Sequence, residues 1–187
     1  MRDSLDLIER LATVLRSDGR VSLGDTGLQP IHLDMLRYLD RCNRYSDTPG
    51  AVTEFLGLTK GTVSQSLQVL ERKGLVERRP DDADGRVVHL SLTQRGRRLS
   101  RSGPGPDWVE AFARLSTVRR RELEDGLRSL LTAVQRSRGG RAFGACHTCG
   151  FFRREDHGFR CGLTEEPLSD FEIVQLCRDN EPCEAAR

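Results

Sequence analysis

Apolar residues recur at Leu5, Ile8, Leu11, Ala12 and Leu15, a spacing that lines them along one side of a helix. The stripe ends at a Gly- and Asp-containing stretch from Asp18 to Gly27, which reads as a loop. Pro30 opens a second helix through about Arg41, and Pro49 opens a short third one over AVTEFLGL, because the first turn of a helix has no use for the N–H that proline lacks. Thr59 supplies the N-cap of a fourth helix. Its Val63, Leu67 and Leu70 form the buried side, and Gly74 falls where a left-handed C-cap is expected. The period then changes to two. Leu75 to Arg79 and Arg86 to Leu92 read as short strands, with Val88, Leu90 and Leu92 alternating against Val87, His89 and Ser91 around the turn PDDADGR. A further helix from Thr93 is interrupted by RSGPGP at 101–106 and resumes at Asp107 with Trp108, Val109, Phe112 and Leu115. The last helix, Ser116 to Gln135, carries Leu123, Leu127, Leu130, Leu131 and Val134 along one side.

Helix, helix, helix, strand, strand is the order of a winged helix-turn-helix, so the expected fold is mainly α with a small β wing. The polar side of the fourth helix then acquires a meaning. It carries Gly61, Thr62, Ser64, Gln65, Gln68 and Arg72, with no carboxylate until Glu71 on the flank. Short hydrogen-bonding side chains can approach phosphates and base edges. Glutamine matches the donor and acceptor pair of adenine in the major groove, which makes Gln65 the candidate base reader, while Thr59, Lys60, Thr62 and Ser64 would position the helix on the backbone. Arg78, Arg79 and Arg86 cluster at the hairpin, where a wing tip reaches the neighbouring groove and a narrow minor groove attracts arginine. Asp84 either orients Arg86 or holds the turn. The expected DNA-binding set is Thr59, Lys60, Thr62, Ser64, Gln65, Gln68, Arg72, Arg78 and Arg86. A capped amphipathic helix and an Arg-rich hairpin also occur in domains that never touch DNA, so the pattern alone leaves both readings open.

The segments TVSQSLQVLERKGLVERR and DADGRVVHLSLTQRG resemble the recognition helix, wing and following helix start of the multiple-antibiotic-resistance regulator (MarR) family of winged helix-turn-helix repressors. The resemblance extends over residues 5 to 137. It implies a transcriptional repressor that binds double-stranded DNA as a homodimer at a pseudo-palindromic operator, with the first and last helices forming the dimer interface. Two features depart from the family. Gln65 stands where arginine is frequent, which implies a shifted base preference, and the break at 101–106 falls in a helix that is generally continuous.

Composition agrees with one good core plus an appendage: 187 residues, 36% hydrophobic and 5% aromatic, which excludes a second large domain. The net charge is only +2 but unevenly spread. Lys60 to Arg101 holds ten Lys/Arg against five Asp/Glu, whereas Arg141 onward holds six Arg against nine acids, so the basic part is the part expected to meet phosphate. No apolar run is long enough to span a membrane, and MRDSLDLIERL lacks the apolar centre of a secretion signal, which points to the cytoplasm and a reducing compartment. No nucleophile elbow, phosphate loop or paired catalytic carboxylates stand out, and the chain does not read as an enzyme.

The composition changes at SRGGR, dividing the chain into a DNA-binding and dimerisation part, 1–138, and a tail, 139–187, that the family does not usually have. The tail holds five of the six cysteines: Cys146 and Cys149 as C-x2-C, then Cys161, Cys177 and Cys183. About 47 residues cannot supply an independent core, so a cross-link or metal is expected to hold this small module together. Disulfides suit neither a reducing compartment nor an odd number of thiols. Zinc suits four thiolates, and CHTCG resembles one knuckle of a zinc ribbon, but the second C-x2-C is absent. An iron-sulfur cluster accepts dispersed cysteines, and Phe143, Phe151, Phe152, Phe159 and Phe171 offer a dry shell for one. The tail also resembles short cysteine modules with C-x2-C, an aromatic pair, C-G-L and a distant Cys, some of which carry such clusters. The favoured cofactor is an iron-sulfur cluster on Cys146, Cys149, Cys161 and Cys177, with Cys183 as a spare ligand and Zn2+ as the alternative. In the first case the centre sets operator affinity: because the tail continues from the last helix, it is expected to order against that helix and bias the spacing of the two wings. In the second case the tail is structural and a small molecule is the effector. A redox enzyme subunit carrying a DNA-binding fold is a remote third reading. Cys42 reads as a thiol sensor or, more simply, a small buried hydrophobe. His147 and His157 read as exposed or as supports for a metal ligand, and His32 and His89 have no visible partner.

Overall fold

The computed structural model describes residues 2–102, 106–137, 139 and 141–182. The described residues include seven α-helices: α1 (Arg2–Leu23), α2 (Pro30–Leu39), α3 (Pro49–Leu56), α4 (Lys60–Arg72), α5 (Gln94–Ser100), α6 (Pro106–Ala113) and α7 (Thr117–Ser137). The wing is β1 (Val76–Pro80) antiparallel to β2 (Val88–Leu92), with Val76 opposite Leu92 and Pro80 opposite Val88. This is the expected winged helix-turn-helix, mainly α with a small β hairpin.

One core sits beneath α4. Val63, Leu67 and Leu70 pack there with Met35, Leu36 and Tyr38 of α2, Ala51 and Val52 of α3, and Leu75, Val76, Leu90 and Leu92 of the wing. Each of these side chains removes apolar surface from water, worth roughly 1.5–3 kcal/mol for a fully buried Leu or Val. Thr59 caps α4 by accepting a hydrogen bond from the N–H of Thr62 (3.2 Å), and Gly74 adopts φ 64°, as its place after the helix requires.

Two boundaries differ from the sequence pattern. The helix does not stop at Asp18 but runs on to Leu23, followed by a 3-10 turn at Gly24–Thr26. Gly19 is therefore an internal helix residue. It is buried, and a Cβ there would lie 3.6 Å from Leu33 Cδ2, so the glycine marks where α1 crosses closely over α2 rather than where a helix breaks. The second helix ends at Leu39, not Arg41, because Arg41 and Cys42 turn aside to bond with the tail: the N–H of Leu176 donates to the carbonyl of Arg41 (2.7 Å). The interruption at 101–106 is real, since α5 ends at Ser100 and α6 starts at Pro106, although 103–105 lie outside the described residues. Trp108 Nε1 donates to Asp18 Oδ2 (2.7 Å), which fixes α6 against α1.

The tail forms β3 (Gly144–Ala145) paired with β7 (Leu176–Cys177), and a three-stranded antiparallel sheet of β4 (Phe152–Glu155), β5 (Gly158–Cys161) and β6 (Pro167–Leu168) in that order. The expected division at 138 falls on a residue outside those described, but Phe143 on the tail side belongs to the main core. Its ring meets Phe55 edge-on at 5.1 Å and Tyr38 at 6.0 Å. The tail thus leans on α2, α3 and the segment joining them. Tail and α7 together line a groove, with Leu127, Leu131 and Gln135 on one side and Phe143, Ala145 and Leu176 on the other.

Gly96 of α5 sits against the start of β1, where any Cβ would overlap the carbonyl oxygen of Leu75, an atom already bonded to the N–H of Thr93 (3.1 Å). Backbone cannot give way as a side chain does. Gly96→Ala is expected to destabilise the fold by about 1–3 kcal/mol, read as a lowered midpoint in urea with an unchanged slope.

Candidate functional site

The outward side of α4 is as the pattern required. Thr59, Lys60, Gly61, Thr62, Ser64, Gln65, Gln68 and Arg72 are all exposed, while Val63, Leu67 and Leu70 are turned inward together with Ser66. The expected readers and phosphate contacts therefore share the solvent-facing side of α4, with Gln68 and Arg72 in its C-terminal half and the others at its N-terminal half, where unpaired backbone N–H groups also favour an anion.

The wing arginines are not equivalent. Arg78 forms an ion pair with Glu71 on α4, so it ties the first wing strand to the recognition helix instead of standing free for DNA. Arg86 is 91% exposed at its side chain, and Asp84 holds its guanidinium in a two-point contact, Nε to Oδ1 and Nη2 to Oδ2, both 3.0 Å. The same Asp84 Oδ1 accepts from the backbone N–H of Arg86 (3.0 Å), so this aspartate both orients the arginine and closes the turn. Asp81 shapes the other side of the turn by accepting from the N–H groups of Ala83 (2.9 Å) and Asp84 (2.7 Å).

His89 on β2 does have partners. Its Nδ1 lies 2.5 Å from Asp47 Oδ1, and its Nε2 lies 3.1 Å from Asp81 Oδ2. The hydrogen bond with Asp47 holds the imidazole above its usual pKa. Burial pushes the Asp47 carboxyl up, a push that the His89 imidazolium opposes, while the backbone donors of Asp84 and Ala83 hold Asp81 low. His89 thus pins the wing turn to the segment that joins α2 and α3. Nothing in the local sequence signals this, because Asp47 lies far away along the chain and the two meet only in the fold.

The tail brings four cysteines to one place. Cys146, Cys149, Cys161 and Cys177 line a single small recess of about 30 Å³ whose walls include Phe151, Phe152, Leu163, Leu168 and Tyr45. Each arrives by a different local device. Cys146 starts a 3-10 turn that returns the N–H of Cys149 to its carbonyl (3.0 Å), Cys161 ends β5 opposite Phe152, and Cys177 ends β7 opposite Gly144. Two N–H groups point at the sulfurs: Asn43 Nδ2 donates to Cys146 Sγ (3.5 Å), and the N–H of Glu181 donates to Cys149 Sγ (3.4 Å). Hydrogen bonds from the Cys146 thiol and the Asn43 amide draw Cys177 toward its thiolate; the same thiol hydrogen bond holds the proton on Cys146. Burial pushes Cys149 up. Among the described residues no three His, Cys, Asp or Glu side chains are set as a single metal ion needs. Cys183 lies outside the described residues.

The aromatic shell is smaller than the sequence pattern allowed. Phe151 and Phe152 line the recess and Phe159 stacks on Phe152 at 5.3 Å, but Phe143 belongs to the main core and Phe171 is 69% exposed. His147 Nδ1 lies 2.9 Å from the carbonyl of Ile173, and His157 is exposed. His32 accepts the N–H of Gln29 (2.9 Å) as part of the cap of α2. Cys42 is buried beside the core, its thiol pushed up to about 12 by that burial, and it packs as a small apolar side chain.

Residues 26–87 match the model of the MarR family and form a MarR family domain. Over 99 residues the chain is 29% identical to the transcriptional repressor MprA of Escherichia coli strain K12 and equally to that of strain O157:H7, a match covering 51% of this chain and 56% of each repressor, so the chain spans about half the length of these curated relatives. Among solved structures, Streptococcus pneumoniae FabT in complex with DNA is 27% identical with a TM-score of 0.56, covering 72% of this chain and 96% of FabT. A point mutant of MepR from a multidrug-resistant Staphylococcus aureus clinical isolate aligns with a TM-score of 0.60 at 24% identity, over 71% of this chain and 97% of that one, which supports the fold. Residues 26–87 therefore carry a MarR family domain within a winged helix-turn-helix fold, and the domain match ends well before Cys146.

The His89 pairing has a pH signature. Its raised pKa means that the stabilisation is fully present below the unfolded value of 6.5 and is lost as pH rises through the higher folded value. The melting temperature of the native protein minus that of His89→Gln should shrink as pH is raised from 6 to 9 in thermal melts; a difference that grows with pH would contradict the pairing.

Proposed function

We propose that this chain is a homodimeric DNA-binding transcriptional repressor whose operator affinity is controlled by an iron-sulfur cluster held by Cys146, Cys149, Cys161 and Cys177. The observation that carries the DNA-binding reading is the exposed, carboxylate-free face of α4 beside the Arg86 wing on a MarR family domain. The repressor relatives and the DNA complex of FabT support it. In this reading Gln65 and Gln68 face base edges, while Thr59, Lys60, Thr62, Ser64 and Arg72 hold the backbone. Arg86 reaches along the minor groove, and Arg78 sets the wing against α4.

Dimerisation is supported by two apolar stripes that the single chain leaves bare. None of α7 is buried, and Leu127, Leu130 and Leu131 are 44–55% exposed, as are Leu5, Leu11 and Leu15 of α1 at 42–53%. A second copy covers such stripes and supplies the second half-site reader. No helix among the described residues is long and apolar enough to cross a membrane.

The cluster reading is supported by four thiols around one apolar recess and by N–H groups aimed at two of the sulfurs. Such donors stabilise thiolate ligands, and hydrogen bonds to the sulfurs are among the features that tune an iron-sulfur centre. When bound, such a cluster supplies oxidant-sensitive chemistry at the recess. The chain's own part is to exclude water with Phe151, Phe152 and Leu168 and to hold the sulfurs in place.

Four outcomes are expected. Gln65→Ala should lower operator affinity by about 1–3 kcal/mol and relax one base position in a sequence-varied binding assay. Lys60→Ala should weaken binding to every sequence and reduce the salt slope by about 1. Protein purified without oxygen should be brown and contain iron and sulfide, and Cys161→Ser should be colourless; a colourless native protein with about one zinc per chain rejects the cluster.

A further inference from the structure

The peptide joining α2 to α3 has the cysteine recess on one side and the wing on the other. We propose that this connector carries the state of the cysteine centre to the wing, with Asn43 as the residue that reads the centre and Asp47 as the residue that delivers the reading. The proposal rests on the iron-sulfur reading of the centre.

On the recess side, Asn43 is 1% exposed and every polar atom of its amide is engaged. Nδ2 donates to Cys146 Sγ (3.5 Å), while Oδ1 accepts from Ser46 Oγ (2.7 Å) and from the N–H of Tyr45 (3.2 Å). The tail backbone holds the same peptide. Asn43 N–H donates to the carbonyl of Leu176 (2.9 Å), Gln175 Nε2 donates to the carbonyl of Cys42 (3.0 Å), and the N–H of Arg178 donates to Ser46 Oγ (2.9 Å). Leu176 and Arg178 flank Cys177, so two of these anchors are set by where that cysteine sits.

On the wing side, the carbonyl of Asp47 accepts from the N–H of Leu90 (2.7 Å) and its carboxylate takes His89, which in turn holds Asp81 in the wing turn. Thr48, the next residue, caps α3 by accepting from the N–H of Ala51 (3.3 Å). One short peptide thus touches a sulfur at one end, and a wing strand and a helix start at the other.

The direction follows from the chemistry of sulfur. A ligand thiolate is a stronger acceptor than a thiol, so a loaded centre tightens the Asn43 hydrogen bond and fixes Cys177 and its neighbours. Emptying the centre removes the cross-link from a tail with little core of its own, and the anchors at Leu176 and Arg178 loosen with it. The connector then releases Asp47, and the wing loses its fixed set against α4. The loaded protein is the tight binder, and the coupling runs through the wing within one protomer.

The test compares loaded protein, prepared without oxygen, with the same protein stripped by a chelator under mild oxidation. Stripping should weaken operator binding at least tenfold in anisotropy titrations and raise hydrogen exchange at the Leu90 amide and across 81–89 at least tenfold, with amides in the middle of α4 unchanged. Asp47→Asn, remote from the sulfurs, should keep the visible absorption of the centre while the loaded-to-stripped affinity ratio falls below threefold. Asn43→Ala should do the same from the other end and serves if Asp47→Asn does not fold. Equal Leu90 exchange in loaded and stripped protein, or an undiminished ratio in a folded variant that keeps its absorption, overturns the connector proposal. A native protein without iron and sulfide overturns the underlying cluster reading instead.

Discussion

Two buried polar side chains organise the part of this molecule that is unlike a plain winged helix. Asn43 and Ser46 are 1% and 0% exposed in the α2–α3 connector, and neither can be buried without hydrogen-bond partners. Some of those partners are local, such as Asn43 Oδ1 for Ser46 Oγ, and Tyr38 OH donates to the carbonyl of Ser46 (2.7 Å). The rest come from the tail: the carbonyl of Leu176, the N–H of Arg178 and the sulfur of Cys146. The tail is therefore a wall of the DNA-binding unit, supplying the partners that let these polar groups be buried.

The dependence runs both ways. The described tail buries few apolar side chains, chiefly Phe143, Cys146 and Leu168, and Phe143 finds its cavity between Phe55 and Tyr38 of the other part. Charged contacts add orientation at the rim. Arg44 reaches Glu166 and Glu172, and Arg178 and Arg141 both reach Glu54 on α3. Such exposed pairs contribute little stability individually, so docking rests on Phe143 and the backbone bonds of the connector. This explains why the tail docks on the connector. The connector offers unpaired polar groups and an aromatic pocket, whereas α7 offers an apolar stripe that a second copy can cover.

The legible parts of the site were those with a period. Val63, Leu67 and Leu70 gave the inner side of α4 and, by difference, its exposed reading face; the change to period two gave the wing, and Gly74 the turn between them. Gly19 misled because a glycine that permits close helix crossing has the same letter as one that ends a helix. The pairing of Arg78 with Glu71 was not legible, because the two belong to different elements and a strand-to-helix ion pair leaves no spacing rule in the chain. His89 and Asn43 were invisible for the same reason, their partners being brought near only by tertiary packing.

By itself the sequence determined the class of fold, the face of α4 that meets solvent, the hairpin, and a set of cysteines too numerous for chance in a segment too short for a core. Those properties are local, since periodicity, caps and composition act over a few residues. The tertiary structure decided that four of those cysteines share one recess, that the tail docks on the connector, and that Asp47 and His89 join the connector to the wing. These outcomes depend on which buried polar groups are left for a distant segment to satisfy, and that is known only once the chain has packed.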